Sequence, residues 1–340
     1  MSVRDGERYL DEAVSSILCQ TFDDFEFLDL DDGSCDGTWD SLARFSEKDR
    51  RIKVFRNKNS TGLADALNSL IERANGEYIA RMDGDDISSP TRFESQVEVL
   101  QTGTADLCGS WICAFGEQKE SIVRFPVEDE KIRTALLFSN PINHPSVMVR
   151  RETIGDERYG VGREYPEDYG LWQRLSLRGR MHNLPKALLW YRRHASQTAT
   201  RYSVSQIEGS CRLAVRYLEM VNITASGEEK SLHGRVRHPV PPRDWGEVVR
   251  TERWLLKLCD RYYPSPAARE VIAEQYYRYC LKAASCGPKA YRLFKRSRLR
   301  HMGDFQPWQE RAILMLGLLR IRYGSRFYRF LAAHSPRARL

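Results

Sequence analysis

The acidic tetrad Asp83-Gly84-Asp85-Asp86 follows directly on residues 78–82, a segment with the composition of a buried strand. Three carboxylates this close together repel one another in a dry core, so they are either dispersed in water or held together by a cation. Because the tetrad begins where the strand ends, its side chains are placed for a ligand. We therefore predict a cation site here, with a solvated surface turn as the alternative.

A second pair of acids, Asp31-Asp32, ends another strand pattern. Strand patterns alternate with helical ones in the amino-terminal part of the chain. The strands are 25–30, 52–55 and 78–82, and the helices are 7–18, a segment from about residue 38, and 62–74. This alternation predicts an α/β domain with a parallel sheet flanked by helices. Ligands of such sheets bind beyond the carboxyl ends of the strands, so we expect the two acidic clusters to meet at one site.

Several kinds of cation site are compatible with the acids. Residues 32–37 match the first half of a calcium-binding EF-hand loop, but Ala43 stands where the twelfth position needs a bidentate glutamate. A two-metal nuclease or phosphatase would need a nucleophile or base that the sequence does not place. Mg²⁺ or Mn²⁺ bridging a diphosphate fits better, because these ions need only one or two protein carboxylates and take other oxygens from phosphate and water.

The composition indicates an ordinary globular protein of two domains. The chain has 340 residues, of which 41% are hydrophobic and 29% charged. We place an α/β domain at 1–200 and a mainly helical, basic region at 201–340, with a polar loop at about 222–244. No segment is apolar enough to cross a bilayer or to serve as a signal peptide, so we expect a cytoplasmic protein. The eight scattered cysteines are expected to be reduced thiols.

Charge is divided unevenly along the chain. Residues 251–340 carry 19 Lys and Arg against 6 Asp and Glu, whereas the preceding residues are net acidic. Residues 310–331 have the pattern of a cationic amphipathic helix, which suits peripheral contact with the inner face of an anionic membrane. Packing of the same apolar face on the first domain is the alternative. No nucleic-acid-binding motif accompanies the charge, so we expect no nucleic acid partner.

Four short runs carry a family resemblance. They are 31–38 (DDGSCDGT), 76–86 (GEYIARMDGDD), 166–172 (PEDYGLW) and 191–194 (YRRH). In order and spacing they resemble the family 2 glycosyltransferases with the GT-A fold, over about residues 1–200. The resemblance implies a Rossmann-like, mostly parallel sheet flanked by helices that binds a nucleoside diphosphate sugar.

The resemblance also implies roles for the donor-binding residues. Asp32, with Asp31 beside it, matches the position that contacts the nucleobase and ribose, and Arg4 replaces a tyrosine that stacks on the base. Asp83 and Asp85 match the D-x-D signature, with Asp85 the more direct ligand of Mn²⁺ or Mg²⁺.

Three later residues complete the implied site. Asp168 matches the catalytic base that takes the proton from the acceptor hydroxyl, with inversion at the anomeric carbon. His194 resembles a histidine that approaches the metal or diphosphate, and Arg192 is placed to offset phosphate charge. The alternatives are an acid that only stabilises a helix amino terminus for Asp168, and a packed or surface histidine for His194.

The start of the chain departs from the family pattern. Residues 1–6 begin inside the first turn, so the first strand is expected to be essentially missing. Such a loss would expose the edges of two neighbouring strands. Asp29 places an unexplained charge in a central strand.

The sequence therefore predicts a metal-dependent inverting transferase that moves a sugar to a glycan or lipid-linked acceptor in cell-surface polysaccharide or lipopolysaccharide synthesis. One alternative is a non-catalytic binding protein for nucleotide sugars or glycans on a degenerate transferase domain. Another is an anionic-surface binder that uses only the basic tail.

Overall fold

The computed structural model describes residues 1–117, 119–160, 166–194, 203–321, 324, 325 and 328. The chain divides into two compact units. One unit comprises 1–129 and 141–203, and the other comprises 130–140 and 204–340.

The first unit alternates strands and helices as the sequence predicts. Its strands are β1 (Ser2–Val3), β2 (Phe27–Asp31), β3 (Ile52–Arg56), β4 (Tyr78–Ala80), β5 (Ile87–Ser88), β6 (Leu107–Gly116), β7 (Ser121–Val123), β8 (Met148–Arg150) and β9 (Met181–Arg193). Its helices are α1 (Glu7–Leu18), α2 (Thr38–Lys48), α3 (Leu63–Arg73), α4 (Arg92–Gln101), α6 (Arg151–Ile154) and α7 (Glu167–Leu175). The helix α5 (Asp129–Ala135) belongs to the second unit except for its first residue.

The strands form two sheets rather than one. β1, β2 and β3 pair in parallel, in that order. The other sheet has the order β4-β8-β6-β9-β5, with β7 added beside β6, and only its β6–β9 pair is parallel. The α/β prediction is confirmed, but the pairing is more mixed than a mostly parallel sheet, because β4 pairs with the later, antiparallel β8.

The first strand is truncated, as the sequence predicts, although two of its residues are present. Ser2 and Val3 pair in parallel with Leu30 and Asp31 of β2. The Val3 carbonyl accepts a hydrogen bond from the Asp32 amide at 2.8 Å. A strand of two residues is thus enough to hold the first turn beside the end of β2.

Helices pack on both faces of the three-stranded sheet. α3 contributes Leu70 to a small core with Leu28 and Leu30. The larger core lies on the other side and contains Leu10 of α1 together with Phe27. The alternation of side chains along β2 sends neighbouring residues to these two cores.

The second unit is helical. It contains α8 (Ser203–Met220), α9 (Gly227–Val236), α10 (Trp245–Arg261), α11 (Pro266–Ala283), α12 (Lys289–Arg296) and α13 (Pro307–Leu318). None of the helices in the described residues is long and apolar enough to cross a membrane. All eight cysteines are free thiols, as the sequence predicts.

The polar segment 222–244 is not one long loop, and that prediction is wrong. α9 begins after Ser226, whose hydroxyl accepts from the Glu229 amide while the Glu229 carboxylate accepts from the Ser226 amide. This capping box satisfies two amides at the helix start. The buried His233 side chain then anchors α9 through a 2.7 Å hydrogen bond with the Leu137 carbonyl.

The predicted helix 310–331 is confirmed only for its first part. α13 ends at Leu318, and Arg320 has a positive φ of 48°, which a continuing right-handed helix does not allow. Most of 322–331 lies outside the described residues.

Candidate functional site

The acidic tetrad forms a compact carboxylate cluster at the end of β4. One oxygen from each of Asp83, Asp85 and Asp86 lies within 4.8 Å of the others. Burial and the neighbouring Asp83 charge raise the pKa of Asp85, and burial with both neighbouring charges raises that of Asp86 well above its usual value. The site therefore concentrates negative charge that a cation would relieve.

Asp85 and His194 lie in direct contact although 109 residues separate them. The His194 Nε2 atom is 2.9 Å from the Asp85 Oδ2 atom. His194 follows β9 and stacks at a tilt on Tyr9 of α1, with ring centroids 5.1 Å apart. The end of β9 thus brings an imidazole to the carboxylate cluster.

Arg192 binds the tetrad through both its backbone and its side chain. Its amide donates to Asp86 Oδ1 at 2.9 Å, and its Nε donates to the Asp85 carbonyl at 2.8 Å. Its guanidinium pairs with Glu12 and lies 4.5 Å from the ring centre of Tyr9. These contacts fix the shape of the turn, so the guanidinium is already engaged within the protein.

Arg81 is a site residue that sequence reasoning missed. Its side chain is buried and forms an ion pair with Asp83. Burial alone would lower the pKa of this guanidinium, but the Asp83 carboxylate raises it overall. A signal was present in the sequence, since Arg81 is a cation only two residues before Asp83.

The amino terminus of α7 brings further acids toward the cluster. Burial raises the pKa of Glu167, and the Asp83 charge adds to the effect. The Asp168 Oδ1 atom accepts a hydrogen bond from the Tyr169 amide at 2.8 Å. The charges of Asp168, Glu167 and Asp83 all act on the buried Tyr159 hydroxyl, whose pKa is raised mainly by burial. The charges of the predicted base and of the tetrad therefore act on the same buried hydroxyl group.

His144 contacts the same Tyr159 side chain. Its Nε2 atom is 2.9 Å from the Tyr159 hydroxyl oxygen, and its ring meets Trp172 of α7 edge-on. Burial and the Arg81 charge hold its pKa well below the usual value, so the imidazole is neutral. Through these contacts His144 links Tyr159 to α7.

Asp32 organises the loop before α3. Its carboxylate accepts hydrogen bonds from Asn57 Nδ2 and Ser60 Oγ at 2.7 Å, from the Thr61 amide and hydroxyl at 2.9 and 3.0 Å, and from the Gly62 amide at 3.0 Å. Burial by itself would raise the pKa of Asp32, but these donors lower it. Asp32 is thus an ionised anchor for residues 57–62.

Asp31 and Arg4 differ in exposure. Asp31 is buried, accepts from the Ser34 amide at 2.9 Å and lies 3.2 Å from Arg56 Nε. Arg4 lies on the surface with a 57% exposed side chain, 3.7 Å from the Asp5 carboxylate. Asp31 shapes the turn after β2, while Arg4 is accessible to a ligand.

The first turn is joined to both acidic clusters. The Asp5 amide donates to the Ser34 hydroxyl at 2.9 Å, next to the end of β2. On the other side, a Cβ atom placed on Gly84 would lie 2.8 Å from Val3 Cγ2. Val3 therefore lies between the backbone of the Asp31-Asp32 pair and that of the tetrad. That the two acidic clusters serve one ligand stays a prediction.

The donor set suits a hard divalent ion. The cluster offers carboxylate oxygens, among them an Asp86 Oδ2 atom that is buried without a hydrogen-bond partner. The His194 imidazole contacts one member of the cluster, Asp85. Mg²⁺ and Mn²⁺ prefer oxygen ligands of this kind. The residues present therefore fit such an ion. Asp85 follows β4 and His194 follows β9, so two strands bring side chains to it.

Comparison with known proteins agrees with this arrangement. Residues 1–157 match the model of glycosyl transferase family 2. The chain is 33% identical over 204 residues to the O-antigen biosynthesis glycosyltransferase WbnJ of Escherichia coli, covering 58% of this chain and 80% of that protein. It is also 33% identical over 216 residues to an uncharacterized glycosyltransferase of Haemophilus influenzae, covering 60% of this chain and 67% of the relative.

A solved structure shares the fold over most of the length. S. aureus TarS 1-349 in complex with UDP-GlcNAc superposes with a TM-score of 0.56 at 16% identity, covering 93% of this chain and 89% of that one. This likeness shows the GT-A fold, and the sequence relatives show a glycosyltransferase. The chain belongs to glycosyl transferase family 2.

Proposed function

We propose that this glycosyltransferase is metal-dependent and inverting, and that it moves a sugar from a nucleoside diphosphate donor to a hydroxyl group of a glycan or lipid-linked acceptor. The observation that carries the proposal is the Asp83, Asp85 and Asp86 cluster with His194 beside it. The Asp83 charge also acts on Glu167 at the amino terminus of α7. The name of the relative WbnJ supports a role in cell-surface polysaccharide synthesis.

Asp85, Asp83 and His194 would hold Mg²⁺ or Mn²⁺ in this proposal. When bound, such an ion supplies positive charge that offsets the charge of the diphosphate. We expect the Asp32-anchored loop and the exposed Arg4 to contact the nucleoside. Arg192 keeps the tetrad in shape through its contacts with Asp85 and Asp86.

Asp168 is the proposed base of the transfer. The acceptor oxygen forms its bond to the anomeric carbon while the bond from that carbon to the diphosphate oxygen breaks, and the diphosphate leaves with the electron pair. The acceptor proton passes to an Asp168 carboxylate oxygen. A carboxylate is a weak base, yet it suffices because the hydroxyl becomes acidic only as the new bond forms. Attack opposite the leaving group inverts the anomeric centre.

The test begins with a thermal-shift screen of nucleoside diphosphate sugars with Mg²⁺ or Mn²⁺, followed by turnover of the labelled donor. We expect Asp85→Asn and Asp168→Asn each to lower transfer by about 100-fold or more. Asp168→Asn should keep the metal-dependent thermal shift with donor, whereas Asp85→Asn should lose it. Asp156→Asn is the matched control, because that acid is 88% exposed and pairs only with Arg178 among its described contacts. Full turnover in both site variants would reject the proposal.

We also propose that the second unit contacts an anionic membrane through the end of α13. Met315, Leu318 and Leu319 are 52%, 62% and 60% exposed, and the exposed Arg311 and Arg320 lie on the same short segment. Apolar side chains beside cations suit the boundary between lipid headgroups and acyl chains. A lipid-linked acceptor would be reached from such a position.

Sedimentation with phosphatidylglycerol vesicles tests the contact. Replacing Met315, Leu318 and Leu319 by Gln should reduce the bound fraction several-fold, and raising the salt concentration should weaken binding by screening. Leu177→Gln is the control, since Leu177 is 53% exposed in the first unit. Equal binding of the triple variant, or binding to neutral phosphatidylcholine as strong as to anionic vesicles, would contradict the proposed surface.

A further inference from the structure

The six-stranded sheet presents an aromatic surface where β6 and β9 approach their carboxyl ends. Along β6, Trp111, Cys113 and Phe115 are half-buried and alternate with buried side chains. In the pairing register, Cys113 lies opposite Trp190 of β9 on one side and Ile122 of β7 on the other. Because directly paired residues point to the same side of a sheet, these five residues form one surface, which we call the aromatic face.

The aromatic face is accessible to solvent. Ile122 is 49% exposed, and the other four side chains are half-buried. Within the described residues, none of the five belongs to the small or the large core. At ~3.4 Å per residue, Trp111 and Phe115 are separated by about 14 Å along β6. Apolar surface of this extent next to a functional site is typical of a ligand-binding surface.

The aromatic face and the amino terminus of α7 lie on the same side of the sheet. Ala80 of β4, Met148 of β8 and Cys108 of β6 are paired in one row and all pack in the large core. Arg81 follows Ala80, and the β6 residues of the aromatic face lie an odd number of positions after Cys108. Both therefore point away from the large core. Since the Arg81 charge acts on Glu167 at the start of α7, an acceptor that reaches the proposed base comes from the side of the aromatic face.

One end of the aromatic face adjoins the tetrad. Phe115 pairs with Arg192, whose guanidinium lies 4.5 Å from the centre of the Phe115 ring. The Arg192 Nε atom in turn donates to the Asp85 carbonyl at 2.8 Å. The face therefore begins at the carboxylate cluster with Phe115 and extends away from it to Trp111.

The far end of the aromatic face carries a fixed ring with a cation at its side. The Trp111 Nε1 atom donates to the Phe125 carbonyl at 2.9 Å, and the exposed Arg124 guanidinium lies 5.4 Å from a Trp111 ring centre. A pyranose ring has an apolar C–H face, which packs on a flat aromatic ring, and hydroxyl groups at its edge, which accept from a guanidinium. Flat rings with a donor beside them thus suit a sugar better than an aliphatic chain.

We propose that the aromatic face binds the glycan chain of the acceptor, with sugar rings packed on Phe115, Trp190 and Trp111 and the reacting end directed toward the tetrad. This inference rests on the proposed transfer to a glycan. It adds a site that holds sugars beyond the one that reacts, so a long acceptor binds more tightly than a short one.

Alkylation of Cys113 tests whether saccharide occupies the face of the unaltered protein. Cys113 lies between Trp190 and Ile122 in the register, whereas Cys19 is an exposed thiol at the end of α1 and serves as the internal control. The probes are cellohexaose and maltohexaose at millimolar concentration, as neutral β-linked and α-linked glycans. We expect at least one of them to slow iodoacetamide labelling of Cys113 several-fold, measured by peptide mass spectrometry, and to leave Cys19 unchanged.

A double variant links the protection of Cys113 to the aromatic rings. Trp111→Leu with Trp190→Leu keeps apolar side chains but removes two flat surfaces, and it should abolish most of the protection without changing the thermal shift with donor. Trp308→Leu is the matched control, because Trp308 is a half-buried tryptophan of α13 in the second unit. This control should be protected as strongly as the unaltered protein.

Equal labelling of Cys113 with and without both saccharides would overturn the proposal, and so would protection that survives in the double variant. Protection that rises with protein concentration in the absence of saccharide would assign the face to a second copy of the chain instead. The labelling needs neither donor nor metal. Its failure is therefore distinguishable from a failure of donor turnover, which tests the proposed function.

Discussion

At the scale of single residues, the three acids of the tetrad have unlike partners. Asp83 pairs with buried Arg81, Asp85 meets His194, and Asp86 accepts from the Arg192 amide. Arg81 precedes the tetrad, whereas Arg192 and His194 come from the end of β9, and the three acids remain close enough for one cation. Arg81 offsets part of the repulsion that the composition alone would predict.

Gly84 is the residue at which the tetrad depends on β1. A methyl group at this position would lie 2.8 Å from Val3 Cγ2, and the buried Val3 side chain cannot move away freely. We expect Gly84→Ala to displace the turn and to weaken Mn²⁺ binding, measured by calorimetry, by about tenfold or more. The double variant Gly84→Ala with Val3→Ala should recover much of that affinity, because it removes the clashing methyl group.

Gly227→Ala is the matched control for this prediction, since a Cβ there meets nothing within 4 Å. Unchanged Mn²⁺ binding in Gly84→Ala would show that Val3 does not constrain the tetrad. Failure of the double variant to recover would place the cause outside this contact.

At the scale of elements, the loop 57–62 and the turn after β2 depend on each other. Gly33 has a φ of +75°, and a Cβ there would lie 2.7 Å from the Ser60 amide nitrogen. Only glycine lets the two backbones approach this closely while Asp32 collects the donors of the loop. The acidic pair at 31–32 therefore stabilises the local backbone, and this backbone shapes the surface beside the tetrad.

The start of α9 provides a prediction at the same scale. Ser226 and Glu229 satisfy each other's amides in a capping box. Ser226→Ala should lower the free energy of unfolding by about 1 kcal/mol, measured by urea denaturation, because it leaves the Glu229 amide without its acceptor. Ser226→Asp should retain most of the stability, since a carboxylate caps a helix equally well. Equal loss in both variants would argue against the capping role.

At the scale of the whole molecule, stability should depend on pH through His233. This imidazole is buried between the Leu137 carbonyl and the Trp254 indole, and burial lowers its pKa to about 4. The unfolded chain takes up a proton near the ordinary histidine pKa of ~6.5, whereas the folded protein does not. The stabilisation is therefore complete above about pH 6.5 and is lost as the pH falls toward 4, by ~2 kcal/mol at pH 5.

Urea denaturation at pH 8 and pH 5 measures this effect. His233→Gln keeps a donor for the Leu137 carbonyl but does not titrate, so its loss of stability between the two pH values should be smaller by that amount. The same pH dependence in both proteins would assign the acid sensitivity to other groups.

The sequence predicted a large part of this molecule because local patterns carried the information. The helices α1 and α3 and the strands β2 and β4 lie within a few residues of their predicted bounds, since apolar spacing and glycine stops are local signals. The family was also recognisable from four short runs. The helix α9 was missed, although Ser226 and Glu229 already had the spacing of a capping box.

The amino-acid sequence by itself determined the alternation of strands and helices, the acids at two strand ends and the family to which the chain belongs. The tertiary structure decided which residues meet: His194 with Asp85, Arg192 with Asp86, and β4 with β8 rather than with β1. The physical reason is that strand pairing and buried charge depend on groups far apart in the chain. Their contact follows from packing of the whole unit and leaves no periodic signal in the sequence.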